Sequence, residues 1–367
     1  MIPGVSDSIT DVPGVLVGHH HRLDDEVRVG TDEMGGEGWA TGTTVVLLPE
    51  GAVAAVDVRG GGPGTRETDL LDPANTVQTA HAIVLSGGSA YGLAAADGVM
   101  THLEDAGVGL AMDSRGSVVP IVPAAVIFDL AVGEWKARPD RDFGRLAAQA
   151  AGPGVELGSV GAGTGARAGA LKGGVGSASI TFTSGPATGI TVGAVVVANP
   201  VGAVIDPTGG LPWGASAHEL DYFGLRKPSD VETAALAELT AKSTPLNTTI
   251  GVVATDAVLD PASTQRVAMT AHDGLARAIR PAHSPLDGDT LFAVSTGSAT
   301  PTPPEAPAIP SGMNPDVALV AAIGEAAATV VQRAIVKAVI AAAPVAGIPT
   351  YRQTLPSAFA PQAPPSA

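Results

Sequence analysis

Cysteine is absent from the 367 residues, which excludes disulfides, thiolate metal sites and a cysteine nucleophile together. Aromatic residues make up only 3%, so Val, Ile, Leu and Ala must build the core. Charged residues are scarce at 15%, and no Lys/Arg cluster stands out. A formal charge of −16 suits a phosphate backbone poorly, and nucleic acid is not an expected partner. The opening M-I-P-G-V-S-D-S lacks the basic and apolar regions of a signal peptide, so a cytoplasmic protein is expected. One run, 317–343, is rich in Ala, Val and Ile and long enough to raise the question of a membrane span. Glu325, Arg333 and Lys337 interrupt it, and each is costly at a bilayer centre. A core helix is expected there, and no membrane partner.

What the chain does have is glycine, 47 residues of it, and an apolar fraction of 45%, which together allow tight turns, close packing and a sizeable core. No fixed-period repeat or clean linker divides the sequence, so one domain over 1–367 is expected. Short β-branched runs bounded by Gly, Pro or Asp predict strands at 15–20, 43–49, 52–60 and 82–86. The spacing of Leu93, Ala96, Val99, Met100 and Leu103 predicts a helix over 93–104, and a second is expected over 143–151. Further strands are expected at 175–183, 191–198, 202–206, 250–255 and 288–297. Asp260-Pro261 opens a helix running to about Ile279, and a longer one follows over 314–342. Proline-rich stretches at 301–310 and after Gly347 read as irregular. Runs of strands alternating with a few long helices predict an α+β layered domain, with helices on both faces of stacked sheets.

Several polar stretches can carry chemistry. G-G-S-A-Y-G-L-A-A-A-D-G (87–98) follows a strand and opens a helix, where backbone N–H groups bind anions; tight packing is the other reading. It lacks the glycine spacing and downstream acid of a dinucleotide site, and no cofactor is expected. His19, His20 and His21 alternate faces on a strand and cannot converge on one ion, so a solvated strand end is expected and no metal. Asp287-Gly288-Asp289 is either a turn or two carboxylates on one side of an extended segment. Asn199, in V-V-V-A-N-P, either ends a strand or offers its amide to a developing oxyanion. Asn247-Thr248-Thr249 follows a proline and leads into a strand. It is a turn, or it holds a hydroxyl that attacks the carbonyl before it and cuts its own chain.

Taken together and in order, longer segments add a resemblance. They are R-G-G-G-P-G-T-R-E-T-D-L-L (59–71), L-S-G-G-S-A-Y-G-L-A-A-A-D-G-V (85–99), V-P-I-V-P-A-A-V-I-F-D (119–129) and G-A-G-T-G-A (161–166). K-G-G-V-G-S-A-S (172–179), N-P-V-G (199–202), N-T-T-I-G-V-V-A-T-D (247–256) and D-G-D-T-L-F-A-V-S-T (287–296) continue the series. The chain resembles the self-processing aminopeptidases, a family that includes L-aminopeptidase/D-esterases, β-aminopeptidases and the endo-type nylon-oligomer hydrolase.

The resemblance implies an αββα four-layer sandwich of the type shared with ornithine acetyltransferase. It implies cleavage between Asn247 and Thr248 into an α chain, 1–247, and a β chain, 248–367. The product would be an N-terminal-threonine hydrolase that cuts small peptides or related amides through an acyl-enzyme. Thr248 would be the nucleophile, with its freed α-amine, of ordinary pKa about 7.7–8.0, as general base. Asn199 matches the oxyanion asparagine, and Asp287 and Asp289 the carboxylate pair near the nucleophile; the family's lysine falls on Ala170 here, and Lys172 is the candidate electrostatic partner. Phe128, Gly88 and Tyr91 fall in the substrate pocket, with Phe128 standing where relatives carry tyrosine. Ala124-Ala125-Val126 replaces an acidic residue that aminopeptidases use near the substrate's amino group. A homo-oligomer, a tetramer of αβ units, is implied as well. Two readings stay open beside the hydrolase: an acyltransferase of the ornithine acetyltransferase type, and a non-catalytic protein that keeps the fold.

Overall fold

The computed structural model describes residues 1–31, 33–239, 247–302 and 309–359. Pro245 and Leu246, most of the 301–310 connector and the end of the tail lie outside the described residues. The main strands are β1 (Leu16–Leu23), β2 (Ala40–Val58), β3 (Thr79–Ser86) and β4 (Ala124–Val126). They continue with β5 (Gly174–Thr181), β6 (Thr191–Ala198), β7 (Ile250–Ala257) and β8 (Thr290–Ala299). Four helices cover them: α1 (Ala95–Asp105), α2 (Arg141–Gln149), α3 (Pro261–Ala278) and α4 (Val317–Ile340).

One long strand joins two sheet layers. The first half of β2 pairs with β1 and β3, whereas its last residues, from Val53, pair with β8. The sequence predicts two strands at 43–49 and 52–60, but Pro49-Glu50-Gly51 stays extended. The interruption shows only as a register shift against β3 between Leu47 and Ala52, with Gly51 in the left-handed region at φ 73°. From β8 the hydrogen-bonded order runs outward through β7 and β6 to β5, and from β3 to β4.

Side chains on alternate positions of each strand enter different cores. Ile250, Val252 and Ala254 of β7 meet Val46, Leu48, Ile83 and Leu85 between the two layers. Val253 and Ala257, one residue out of phase, meet α3 and α4 on the outer face. Val45, Leu47, Ala82 and Val84 pack outward under α1 and α2. Three cores therefore separate four layers, helix, sheet, sheet and helix. Burial on both faces explains why these strands read as unbroken apolar runs without alternation.

The α4 helix is long and apolar enough to cross a membrane, yet Ile323, Ala327, Val330 and Ala334 are buried in the core against the sheet. The strand expected at 202–206 is reduced to single bridges, Ala203 with Arg280 and Ile205 with Pro212. The tail also departs from expectation. Thr350 caps a short helix, Tyr351–Thr354, and Tyr351 is fully buried with its hydroxyl donating to the Gly210 carbonyl at 2.9 Å. His19–His21 lie in the second half of β1, with His19 and His20 half-buried and His21 at the start of the strand's exposed end. His19 bonds Thr44 Oγ1 at 2.9 Å, His20 meets the Phe143 ring edge-on, and His21 Nδ1 accepts from Gly161 N–H.

Candidate active site

Three strand ends meet at Thr248. Strands β7 and β8 are parallel neighbours, joined by the crossover helix α3, so their N-termini lie side by side with Ile250 opposite Thr290. The pairing continues upstream as a bridge between Asn247 and Asp287. Gly288 N–H donates to Asn247 O and Thr290 N–H to Thr249 O, both at 3.1 Å. On the other side β6 runs antiparallel to β7, which brings its C-terminal end to the same place. There Thr248 N–H donates to the Asn199 carbonyl at 3.0 Å. The sequence neighbours N-T-T, D-G-D and N-P are thus assembled by strand register alone.

The Thr248 hydroxyl donates to the Asn247 carbonyl oxygen, directly across the peptide bond expected to break. Thr248 is only 4% exposed. A cavity of about 140 Å³ opens onto it, walled by Pro63, Ser89, Val126, Phe128 and Leu286. Among its described lining residues none carries a charged side chain. Ser89 and Ala90 supply the glycine-rich loop's share of that wall, in place of Gly88 and Tyr91. Gly88, at φ 82°, turns its N–H to Asp129 instead, and Tyr91 is exposed beneath the Arg138 guanidinium at 3.8 Å.

Asn199 sits where β6 ends, buried, with its side chain between two other loops. Its Oδ1 accepts the Arg167 N–H at 2.9 Å and its Nδ2 donates to Phe128 O at 3.1 Å. Asp287 and Asp289 are both buried, but among the described residues their carboxylates are bonded to the surrounding loops and not to Thr248. Asp287 accepts from Val201 N–H at 3.0 Å and from the Ser284 hydroxyl at 2.5 Å. Burial raises its carboxyl, partly offset by those two donors. Asp289 Oδ1 accepts Thr249 N–H at 2.8 Å, while Oδ2 accepts from His283. The sequence carries no signal for His283, Ser284 or the Gly288 N–H, because only the folded turn brings them to these atoms.

Lys172 lies outside the cavity. It is fully buried, its ammonium donating to Gly163 O at 2.8 Å and Gly173 O at 2.9 Å. Burial lowers it from 10.5 to about 7, against the pull of Asp129. Asp129 is a second buried charge, one that no local motif in I-F-D marks as functional. It accepts from Thr41 Oγ1 and Gly88 N–H, each at 2.6 Å, and burial raises it from 3.8 to about 6. Because Phe128 O holds Asn199, the Asp129 anchor also fixes the segment that Asn199 leans on. Among the described residues no group of three or more His, Asp or Glu side chains is placed to hold a metal ion.

The site can be set beside known proteins. Residues 7–352 match Peptidase family S58. The chain belongs to that family. A Mycobacterium tuberculosis protein named as an uncharacterized aminopeptidase is 57% identical over 357 residues, 96% of this chain and 99% of that one. The 6-aminohexanoate-oligomer endohydrolase of a Kocuria strain is 32% identical over 289 residues, 78% of this chain and 74% of that one. Among solved structures, a Burkholderia β-aminopeptidase matches with a TM-score of 0.69 and 25% identity, over 97% of this chain and 94% of that one. This S58 member is therefore a hydrolase of amide bonds on the aminopeptidase sandwich.

Proposed function

We propose that this S58 hydrolase is made as a precursor that cuts itself between Asn247 and Thr248, and then works through the N-terminal Thr248 of the new β chain. The observation that carries the reading is the Thr248 hydroxyl lying against the Asn247 carbonyl, whose oxygen also accepts the Gly288 N–H at 3.1 Å. Thr248 Oγ1 bonds to the Asn247 carbonyl carbon as its proton leaves. Charge gathers on the carbonyl oxygen, where the fixed Gly288 N–H stabilises it. The C–N bond then breaks, and the nitrogen takes up a proton to become the α-amine. Water hydrolyses the remaining ester, leaving the Asn247 carboxylate and the free Thr248 hydroxyl.

In the mature enzyme the amine removes the hydroxyl proton as Thr248 attacks a substrate amide. An acyl-enzyme forms, the leaving amine takes the proton, and water releases the acid. Asn199 donates to the substrate's oxyanion by yielding its bond to Phe128 O. Asp287 and Asp289 hold the strand ends that carry the nucleophile, and Lys172 with Asp129 supports the floor beneath Asn199. The small, uncharged cavity supports a small peptide or amide substrate, and no cofactor is needed for these steps. The oligomer implied by the family resemblance, a tetramer of αβ units, is part of this proposal, and light scattering measures its mass.

Turnover is the test. Wild-type protein should hydrolyse a short peptide p-nitroanilide or a 6-aminohexanoate oligomer, and Thr248→Ala should hydrolyse neither. Hydrolysis by Thr248→Ala at the wild-type rate would sink the assignment.

A further inference from the structure

His283 opens the turn that leads to Asp287 and Asp289. Its backbone is left-handed at φ 56°, a region that residues with a side chain enter infrequently, though His does so more than most. In that conformation two of its donors reach a single oxygen. Asp289 Oδ2 accepts the His283 backbone N–H at 3.0 Å and bonds Nδ1 at 2.8 Å. The opposite oxygen, Oδ1, accepts the Thr249 N–H at 2.8 Å. The ring is held from behind by His272, edge-on at 4.9 Å, and His272 Nε2 is itself fixed on Asp57 O at 2.9 Å. A continuous chain of contacts thus runs from the body of α3 to the residue after the nucleophile.

We infer that His283 is a positioning residue for Thr248, acting through Asp289. Nδ1–H fixes the carboxylate, the carboxylate fixes Thr249 N–H, and the Thr248–Thr249 peptide plane cannot rotate. The Thr248 hydroxyl is then kept over the Asn247 carbonyl in the precursor and over the substrate afterwards. The neutral Nδ1–H ring and the imidazolium both supply the required hydrogen. This role rests on Thr248 being the nucleophile, as proposed above. Misplacing a reacting group by about 1 Å costs up to about 100-fold in rate.

Three substitutions separate the side-chain donor from the backbone conformation. His283→Gly keeps the left-handed turn and loses the donor. His283→Asn keeps both, because its Nδ2 stands where Nδ1 stood and Asn tolerates that conformation. His283→Leu loses the donor and strains the turn. Conversion of newly made precursor into two fragments is followed by mass spectrometry, with melting temperatures taken on each variant and kcat and KM on the matured proteins. His283→Gly and His283→Leu should slow cleavage and lower kcat by about 10- to 100-fold with KM little changed, and His283→Asn should recover most of both. Wild-type rates in His283→Gly, or equal damage in His283→Asn and His283→Gly, would overturn the role. Thr248→Ala is run in parallel. If it stays uncut while His283→Gly cuts normally, only the positioning role falls; if Thr248→Ala is itself cut, the nucleophile assignment and the positioning role fall together.

Discussion

Gly288 leaves no room for a methyl group beside the nucleophile. A Cβ there would lie 2.8 Å from Thr248 Oγ1, 2.7 Å from Gly62 O and 3.0 Å from Pro63 Cα. Gly288→Ala must displace either the hydroxyl or the backbone that polarises the Asn247 carbonyl. Self-cleavage of a folded Gly288→Ala chain should slow by about 100-fold, read from the uncut fraction over time, and an unchanged rate would remove Gly288 from the site. Asn199→Ala should lower kcat by roughly 100- to 1,000-fold while KM changes little, since an oxyanion contact strengthens only in the transition state. An effect confined to KM would make Asn199 a ground-state binding residue. Thr248, Asn199 and the two aspartates were legible as candidates because each sits in a short motif at a strand end, which spacing alone reads as a turn or strand end and the resemblance marks for a site. Asp129 and the Phe128 carbonyl were not, because their partners Thr41, Gly88 and Asn199 lie far along the chain; His283 was not, because only the left-handed turn at φ 56° brings it back onto Asp289, six residues on.

Helices α1 and α2 cross at two glycines, and that contact is set by backbone and not by side chains. A Cβ on Gly98 would fall 1.7 Å from Arg141 O, and one on Gly144 would fall 1.8 Å from Ala95 O. Either Gly→Ala change should force the helices apart and cost about 1–3 kcal/mol or more, seen as a lower Tm with self-cleavage retained. An unaltered Tm in both variants would contradict the packing described. The helices themselves were legible, since Leu93 to Leu103 shows a clear apolar face and Asp260 does cap α3 by accepting Ser263 N–H at 2.6 Å. The layers were legible from the order of strands and helices and not from periodicity, because strands buried on both faces show none. Nor could local rules foresee β2, where a Pro-Glu-Gly stretch that normally turns is carried through as a bulge between residues paired up to Leu47 and again from Ala52.

Across the whole molecule, two buried charges tie stability to pH in opposite directions. Asp129 titrates near 6 in the folded chain against an ordinary 3.8. Between about pH 4 and 6 the folded chain keeps a proton that the unfolded chain has released, so this group's contribution falls as pH rises. Lys172, lowered from 10.5 to about 7, does the reverse. Above about pH 7 the unfolded chain holds a proton that the folded chain lacks, and stability rises with pH. Asp129→Asn should remove the first slope, so its Tm should gain on wild type between about pH 4 and 6. Parallel melting curves would contradict the assignment. The central claim, that one chain becomes two at the strand end where Thr248 sits, is tested most directly by intact mass spectrometry of the purified protein. The account predicts two species, residues 1–247 and 248–367, the smaller beginning T-T-I-G-V-V. A single full-length chain that persists on incubation, or a second fragment with a different start, would contradict it.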